Sequence, residues 1–222
     1  TAKWSSVYGQ LDLFKFYIDG VDPARIGKQK VKDFLAVLLK KNIRIAIEMG
    51  GLVDWRADKK DQSAEFSFLD EFAKLKPFIA AIKEIDPSRN IDMLDFDGPI
   101  RRMLYPNNAK ADHHTLSTAV AELFEVLQMY RDSIPGVEVN LLTNFPNWAW
   151  GTTPSYFAID GNRDGYGRYE DVLDSVQARS LATGRHFDGL TVDNPYDYAT
   201  GVAQTNQPAA IAGVDWMQRL VE

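Results

Sequence analysis

Five times along the chain an apolar run rich in branched and aromatic residues gives way to a stretch with helical periodicity. This alternation constrains the fold more than any other feature. The predicted strands are Leu11–Ile18, Ile43–Ile47, Ile91–Phe96, Val137–Leu142 and Phe187–Val192. Between them, Ile26–Lys40, Phe66–Ile85, Leu116–Tyr130 and Tyr169–Leu181 place apolar residues three and four apart, as an amphipathic helix does. A last helix is expected over Ala209–Val221, and Pro77 should kink or divide the second one. Strands that alternate with helices specify a parallel sheet, either an open doubly wound sheet or a (β/α)8 barrel. An open dinucleotide-binding sheet should carry a glycine-rich phosphate loop after its first strand. The sequence holds neither GxGxxG nor GxxxxGK[ST]. The expected fold class is therefore α/β, a (β/α) TIM-type barrel. A full barrel has eight strands and about 250 residues, so five visible units predict a partial or reduced one, forming one domain over residues 1–222.

Composition narrows the function. A net charge of -6 argues against a nucleic-acid phosphate backbone as partner. No run of about 18 apolar residues is present to span a membrane. With no cysteine, thiolate chemistry and disulfides are excluded. No GxSxG elbow supports a serine hydrolase. His113 and His114 are adjacent and His186 is distant, which does not suit a histidine metal triad.

In parallel α/β folds the functional groups gather at the carboxyl ends of the strands. Those ends read Asp19, Glu48, Asp97, Asn144 and Asp193. Aspartate and asparagine also serve as turn and capping residues. Glu48 is a poor turn former, and four carboxylates converging on one rim exceed what capping needs. Converging carboxylates suit glycoside cleavage, in which one carboxylic acid protonates the leaving oxygen and a second carboxylate attacks or activates water. From position alone, Glu48 and Asp97 are the candidates. The loops beyond these ends are aromatic, with Trp55, Trp148, Trp150, Tyr196 and Tyr198. Sugar rings stack on such side chains while polar neighbours bind their hydroxyls. The expected substrate-binding residues are Asp19, Arg101, Asn144, Trp148, Trp150, Asn194 and Tyr196. Arg101 and Arg102 both follow Asp97 closely enough to orient it.

The stretch after the fourth strand reads DGNRDGYGRYED. Asp160, Asn162, Asp164, Gly165 and Asp171 fall at positions 1, 3, 5, 6 and 12, the oxygen-ligand spacing of an EF-hand calcium loop. Tyr166, at position 7, would contribute its carbonyl. Aspartate rather than glutamate at position 12 resembles the dockerin-type variant. A single loop between a strand and a helix predicts a structural calcium that staples the aromatic segment, in a secreted or periplasmic protein.

The segment from Phe187 to Tyr198, FDGLTVDNPYDY, resembles the FDGV-x-LDN-x-D-x-Y segment of (β/α)8-barrel glycoside hydrolases that include the endo-polygalactosaminidase-like group. The resemblance implies that Asp193 is an active-site carboxylate, which makes Asp97 and Asp193 the expected pair, with Glu48 as alternate. One residue more than in that pattern separates Asn194 from Asp197, so no role carries over to Asp197 or Tyr198. The expected function is a glycoside hydrolase acting on a poly- or oligosaccharide with two carboxylates. A non-catalytic carbohydrate-binding barrel and a polysaccharide lyase working through tyrosine and arginine are the competing readings.

Overall fold

The structure is a computed structural model that describes residues 7, 9–21, 27–53, 62–105, 114–144, 148–149 and 166–192. Chain order is β1 (Leu13–Tyr17), a 3-10 turn (Ile18–Gly20), α1 (Lys28–Lys40), β2 (Arg44–Met49), α2 (Ser63–Ile85) and β3 (Met93–Asp97). Then come α3 (Pro99–Leu104), α4 (Leu116–Ser133), β4 (Glu138–Thr143), α5 (Tyr169–Thr183) and β5 (Gly189–Val192). All five predicted strands and the first four predicted helices are present. The expected helix Ala209–Val221 lies outside the described residues.

Two details differ from the sequence reading. The helix through Pro77 is continuous, because Pro77 and Ala73 both lie on its exposed side. The carbonyl freed by the missing N–H faces water, and the helix continues past it. The short helix α3 was not expected; Gly98 in the left-handed region and Pro99 in the first turn start it directly after β3.

The strands pair in parallel in the order β1-β2-β3-β4-β5. A doubly wound sheet reverses its strand order at a switch point. Here every crossover advances one strand in the same direction, which curls the sheet towards a barrel. The helices follow in the same sequence, α1 packing on α2, α2 on α4 and α4 on α5. The outward strand face is apolar and meets them. Phe16 stands edge-on to Phe34 of α1 and Phe78 of α2, at 5.6 and 5.5 Å. Phe96 does the same against Tyr130 of α4 at 5.5 Å.

The other face carries Lys15, Glu48, Asp95, Asn140 and Thr191, which alternate with the outward residues along their strands. Side chains two strands apart touch across this face. Lys15 Nζ lies 3.2 Å from Asp95 Oδ2, and Thr191 Oγ1 donates to Asp95 Oδ1 at 2.7 Å. Arg44 Nη2 reaches Glu138 Oε2 at 2.5 Å in the same way. Such contacts require a concave sheet. They also give its pitch. Asp95 pairs through Glu48 with Tyr17, two residues above Lys15, and Thr191 pairs through Leu142 with Asp97, two residues above Asp95. Each layer thus climbs about one residue per strand, which over eight strands gives the shear of about eight that defines a TIM barrel. The sheet is a partial TIM-type barrel.

At the opposite end, two aspartates do matching work. Asp92 Oδ2 accepts the Ile45 N–H and Asp188 Oδ2 accepts the Val139 N–H, each at 2.7 Å, tying β3 to β2 and β5 to β4. Arg131 holds Asp188 at 2.9 Å. Asp188, inside the FDG motif, is therefore structural.

Candidate functional site

Asp19, Glu48 and Asp97, from three successive strand ends, line one open cleft of about 470 Å³. The strands place them there because each stands at the carboxyl end of its strand or in the turn just after it. Asn144, just past the end of β4, is not among the residues lining this cleft. Asp193, Asn194, Trp150 and Tyr196 lie outside the described residues, so their positions relative to the cleft are not defined.

Asp97 is held by Arg102, whose Nη2 donates to Asp97 Oδ2 at 2.9 Å. Arg102 Nη1 donates to the Asp97 carbonyl as well and reaches the Gly50 carbonyl at 3.5 Å. Sequence reasoning selected Arg101 for the site, and the structure turns it elsewhere. Successive helical residues point about 100° apart, and the Arg101 guanidinium sits over the Tyr166 ring, 5.2 Å from its centre. Asp97 keeps 42% of its side chain exposed to the cleft.

Glu48 is more enclosed, with 9% of its side chain exposed, and forms an ion pair with Lys15 at 2.9 Å. Lys15 bridges Glu48 and Asp95. Burial lowers the affinity of the Lys15 amine for its proton, but hydrogen bonds to Glu48 and Asp95 outweigh burial and raise its pKa above the ordinary lysine value.

The wall of the cleft contains a carboxyl that the sequence reading overlooked. Glu71 of α2 is 2% exposed, and its two oxygens accept the N–H groups of Gly50 and Gly51, each at 2.9 Å. Burial raises its pKa, and the two backbone bonds offset part of that rise. The spacing of Glu71 from Ser67, Leu75, Phe78 and Ile82 places it on the buried stripe of α2. Tyr17 was also overlooked. It closes β1 on the inner face, lines the cleft and is 67% exposed.

Trp148 takes a packing role rather than offering a face to a sugar. It is 4% exposed, with its ring centre 5.6 Å from Tyr166 and 5.3 Å from Tyr169. Tyr166 in turn stacks on Tyr105 at 5.4 Å. Burial pushes the Tyr169 hydroxyl up to about 12, against a bond with Thr143 that lowers it.

Of the predicted calcium loop, Asp160, Asn162, Asp164 and Gly165 lie outside the described residues. Helix α5 begins at Tyr169, loop position 10, which puts Asp171 in its first turn and exposed. The Ala149 N–H donates to the Gly167 carbonyl at 2.7 Å, and the Tyr169 N–H donates to the Ala149 carbonyl at 3.0 Å. The end of the loop is thereby tied to the residue after Trp148. Among the described residues, no group of three or more histidines or carboxylates is arranged to hold a metal.

No protein-family model matches the sequence, and comparison with curated proteins finds no match. Among solved structures, the chain is similar to a beta-glucosidase from Exiguobacterium marinum, at 14% identity and a TM-score of 0.36, over 96% of this chain and 52% of that one. It is also similar to the virulence factor SghA from Agrobacterium tumefaciens, at 10% identity and a TM-score of 0.36, over 95% of this chain and 50% of that one. The chain thus spans about half the length of each of these structures.

Proposed function

We propose that this chain forms the catalytic rim of a glycoside hydrolase that cleaves a poly- or oligosaccharide with two carboxyl groups. The observation that carries the reading is the convergence of Asp19, Glu48 and Asp97 on one open cleft at the carboxyl ends of a barrel-type sheet. Asp97 is the first of the reacting pair, because it is exposed to the cleft and oriented by Arg102. Asp193, one residue beyond the end of β5, is the second. One protonates the glycosidic oxygen as the bond to the anomeric carbon breaks, and the other attacks that carbon or takes a proton from the incoming water. Glu48, enclosed and paired with Lys15, serves as the fixed negative charge beside them. Asp19, Asn194, Trp150 and Tyr196 are the proposed sugar-binding groups, joined by the exposed ring of Tyr17.

In this reading a structural calcium, held by Asp160, Asn162, Asp164, the Tyr166 carbonyl and Asp171, fixes the loop that carries Trp150. Such a staple suits a secreted or periplasmic protein, where calcium is plentiful. The hydrolase reading is tested by measuring reducing ends released from a panel of neutral, cationic and acidic polysaccharides. Asp97→Asn and Asp193→Asn should each lose about 100-fold or more in rate. Full activity in both variants contradicts the mechanism, and unsaturated products would identify a lyase.

A further inference from the structure

The inner layers of a TIM barrel are ordinarily filled by valine, isoleucine and leucine. Here one inner layer is Lys15, Asp95 and Thr191, with Glu48 resting on it from the strand between. Asp95 is 1% exposed and Glu48 7%. Lys15 keeps 32% of its side chain exposed, so the burial falls on the two carboxylates, whose desolvation offsets much of what the pairing contributes to stability. Packing therefore does not account for them. Their position does. Glu48 lines the cleft, Lys15 lies directly beneath it, and the second carboxylate on Lys15 is anchored by Thr191 at 2.7 Å. The chain of contacts runs from the cleft to the barrel interior without a gap.

We propose that Lys15 is a positioning residue of this cleft: braced by Asp95 and Thr191, its ammonium fixes the Glu48 carboxylate as the anionic wall against which a sugar ring sits. This rests on the hydrolase reading for its consequence, since the glycosyl transition state carries positive charge on the ring and a fixed carboxylate stabilises it. Lys15 touches no substrate and exchanges no proton in this scheme. It acts through Glu48. The other charged groups around Glu48 are Asp95 on β3, Asp19 after β1, Asp97 at the end of β3 with Arg102 on α3, and Asp70, Glu71 and Lys74 on α2. Arg102 is engaged by Asp97 and Lys74 stands 3.4 Å from Asp70, which leaves Lys15 as the cation bonded to Glu48 among the described residues.

Two measurements on the full chain test the proposal separately from the hydrolase reading. The first follows the Lys15 side chain by NMR through its Cε signal. In the native protein it should titrate above the ordinary lysine range, and Glu48→Gln should bring it down, with Asp95→Asn as a second variant. An identical titration in native protein and Glu48→Gln overturns the proposal whatever the protein does to sugars. The second compares kinetics. Lys15→Met should lower kcat about 100-fold with KM changed less than about threefold, and Lys15→Arg should recover most of the loss. Unchanged kcat in Lys15→Met overturns the proposal. Should Lys15→Met fail to fold, the Glu48→Gln titration and the Lys15→Arg kinetics decide. If the native protein cleaves no polysaccharide, the hydrolase reading falls, and the titration alone decides whether Lys15 holds Glu48.

Discussion

Gly51 and Gly184 offer a matched pair for separating backbone strain from crowding. Both sit in the left-handed region, at φ +70° and +69°. An alanine in that conformation costs about 1–2 kcal/mol at either site. At Gly184, which caps α5, a Cβ meets nothing within 4 Å, so the backbone cost is the whole effect. At Gly51 the Cβ would stand 2.6 Å from Phe96 Cγ and 2.7 Å from Cδ2. Phe96 is fully buried and wedged between Tyr130 and Phe187, at 5.5 and 6.2 Å between ring centres, so its ring has nowhere to move. Overpacking of this kind costs about 1–3 kcal/mol more. Gly51→Ala should therefore lose about 2–5 kcal/mol and Gly184→Ala about 1–2 kcal/mol. Urea denaturation followed by circular dichroism measures both. Equal losses would refute the claim that Phe96 crowds the turn after β2.

Three further outcomes are expected. Tyr17→Ala should raise KM for a saccharide about tenfold with little change in kcat or melting temperature, since the exposed ring offers stacking worth about 1 kcal/mol or slightly more; a KM equal to that of the native protein would remove Tyr17 from the site. Glu71 takes a proton more readily folded than unfolded, so its stabilising contribution is present below its ordinary value of 4.5 and lost as pH rises through the higher folded value. Urea denaturation across that window should show the native protein losing stability relative to Glu71→Gln as pH rises, and the opposite trend would contradict the assignment. A calcium chelator should lower the melting temperature and expose the segment around residues 150–165 to protease, whereas no change in either would dismiss the calcium staple.

The fold was legible because its signals repeat. Runs such as IRIAI and VEVNLL, each followed by a helical stripe, carry the same message several times over. The carboxylates of the cleft were legible for a related reason: in a parallel sheet the strand end itself marks the site, and Asp19, Glu48 and Asp97 needed no knowledge of their neighbours. Contacts between distant segments were not legible. Which of Arg101 and Arg102 meets Asp97 depends on where α3 starts, and only the turn at Gly98 fixes that. Trp148 lies on a polar loop, yet Tyr105 after α3, Tyr166 just before α5 and Tyr169 at its start enclose it. Lys15 shows an intermediate case. Its place between Phe14 and Phe16 sets it on the opposite strand face, but the partners that give it meaning come from β2 and β3.

The most direct test of the central claim is chemical rescue at the two proposed reacting carboxyls. Asp97→Gly and Asp193→Gly each remove one carboxyl and leave space for a small anion. Both variants should be nearly inactive on the best substrate. Added azide should restore one of them about 100-fold or more, and a glycosyl azide should form where the missing group had faced the anomeric carbon. Native rates in both glycine variants without azide would contradict the two-carboxylate account.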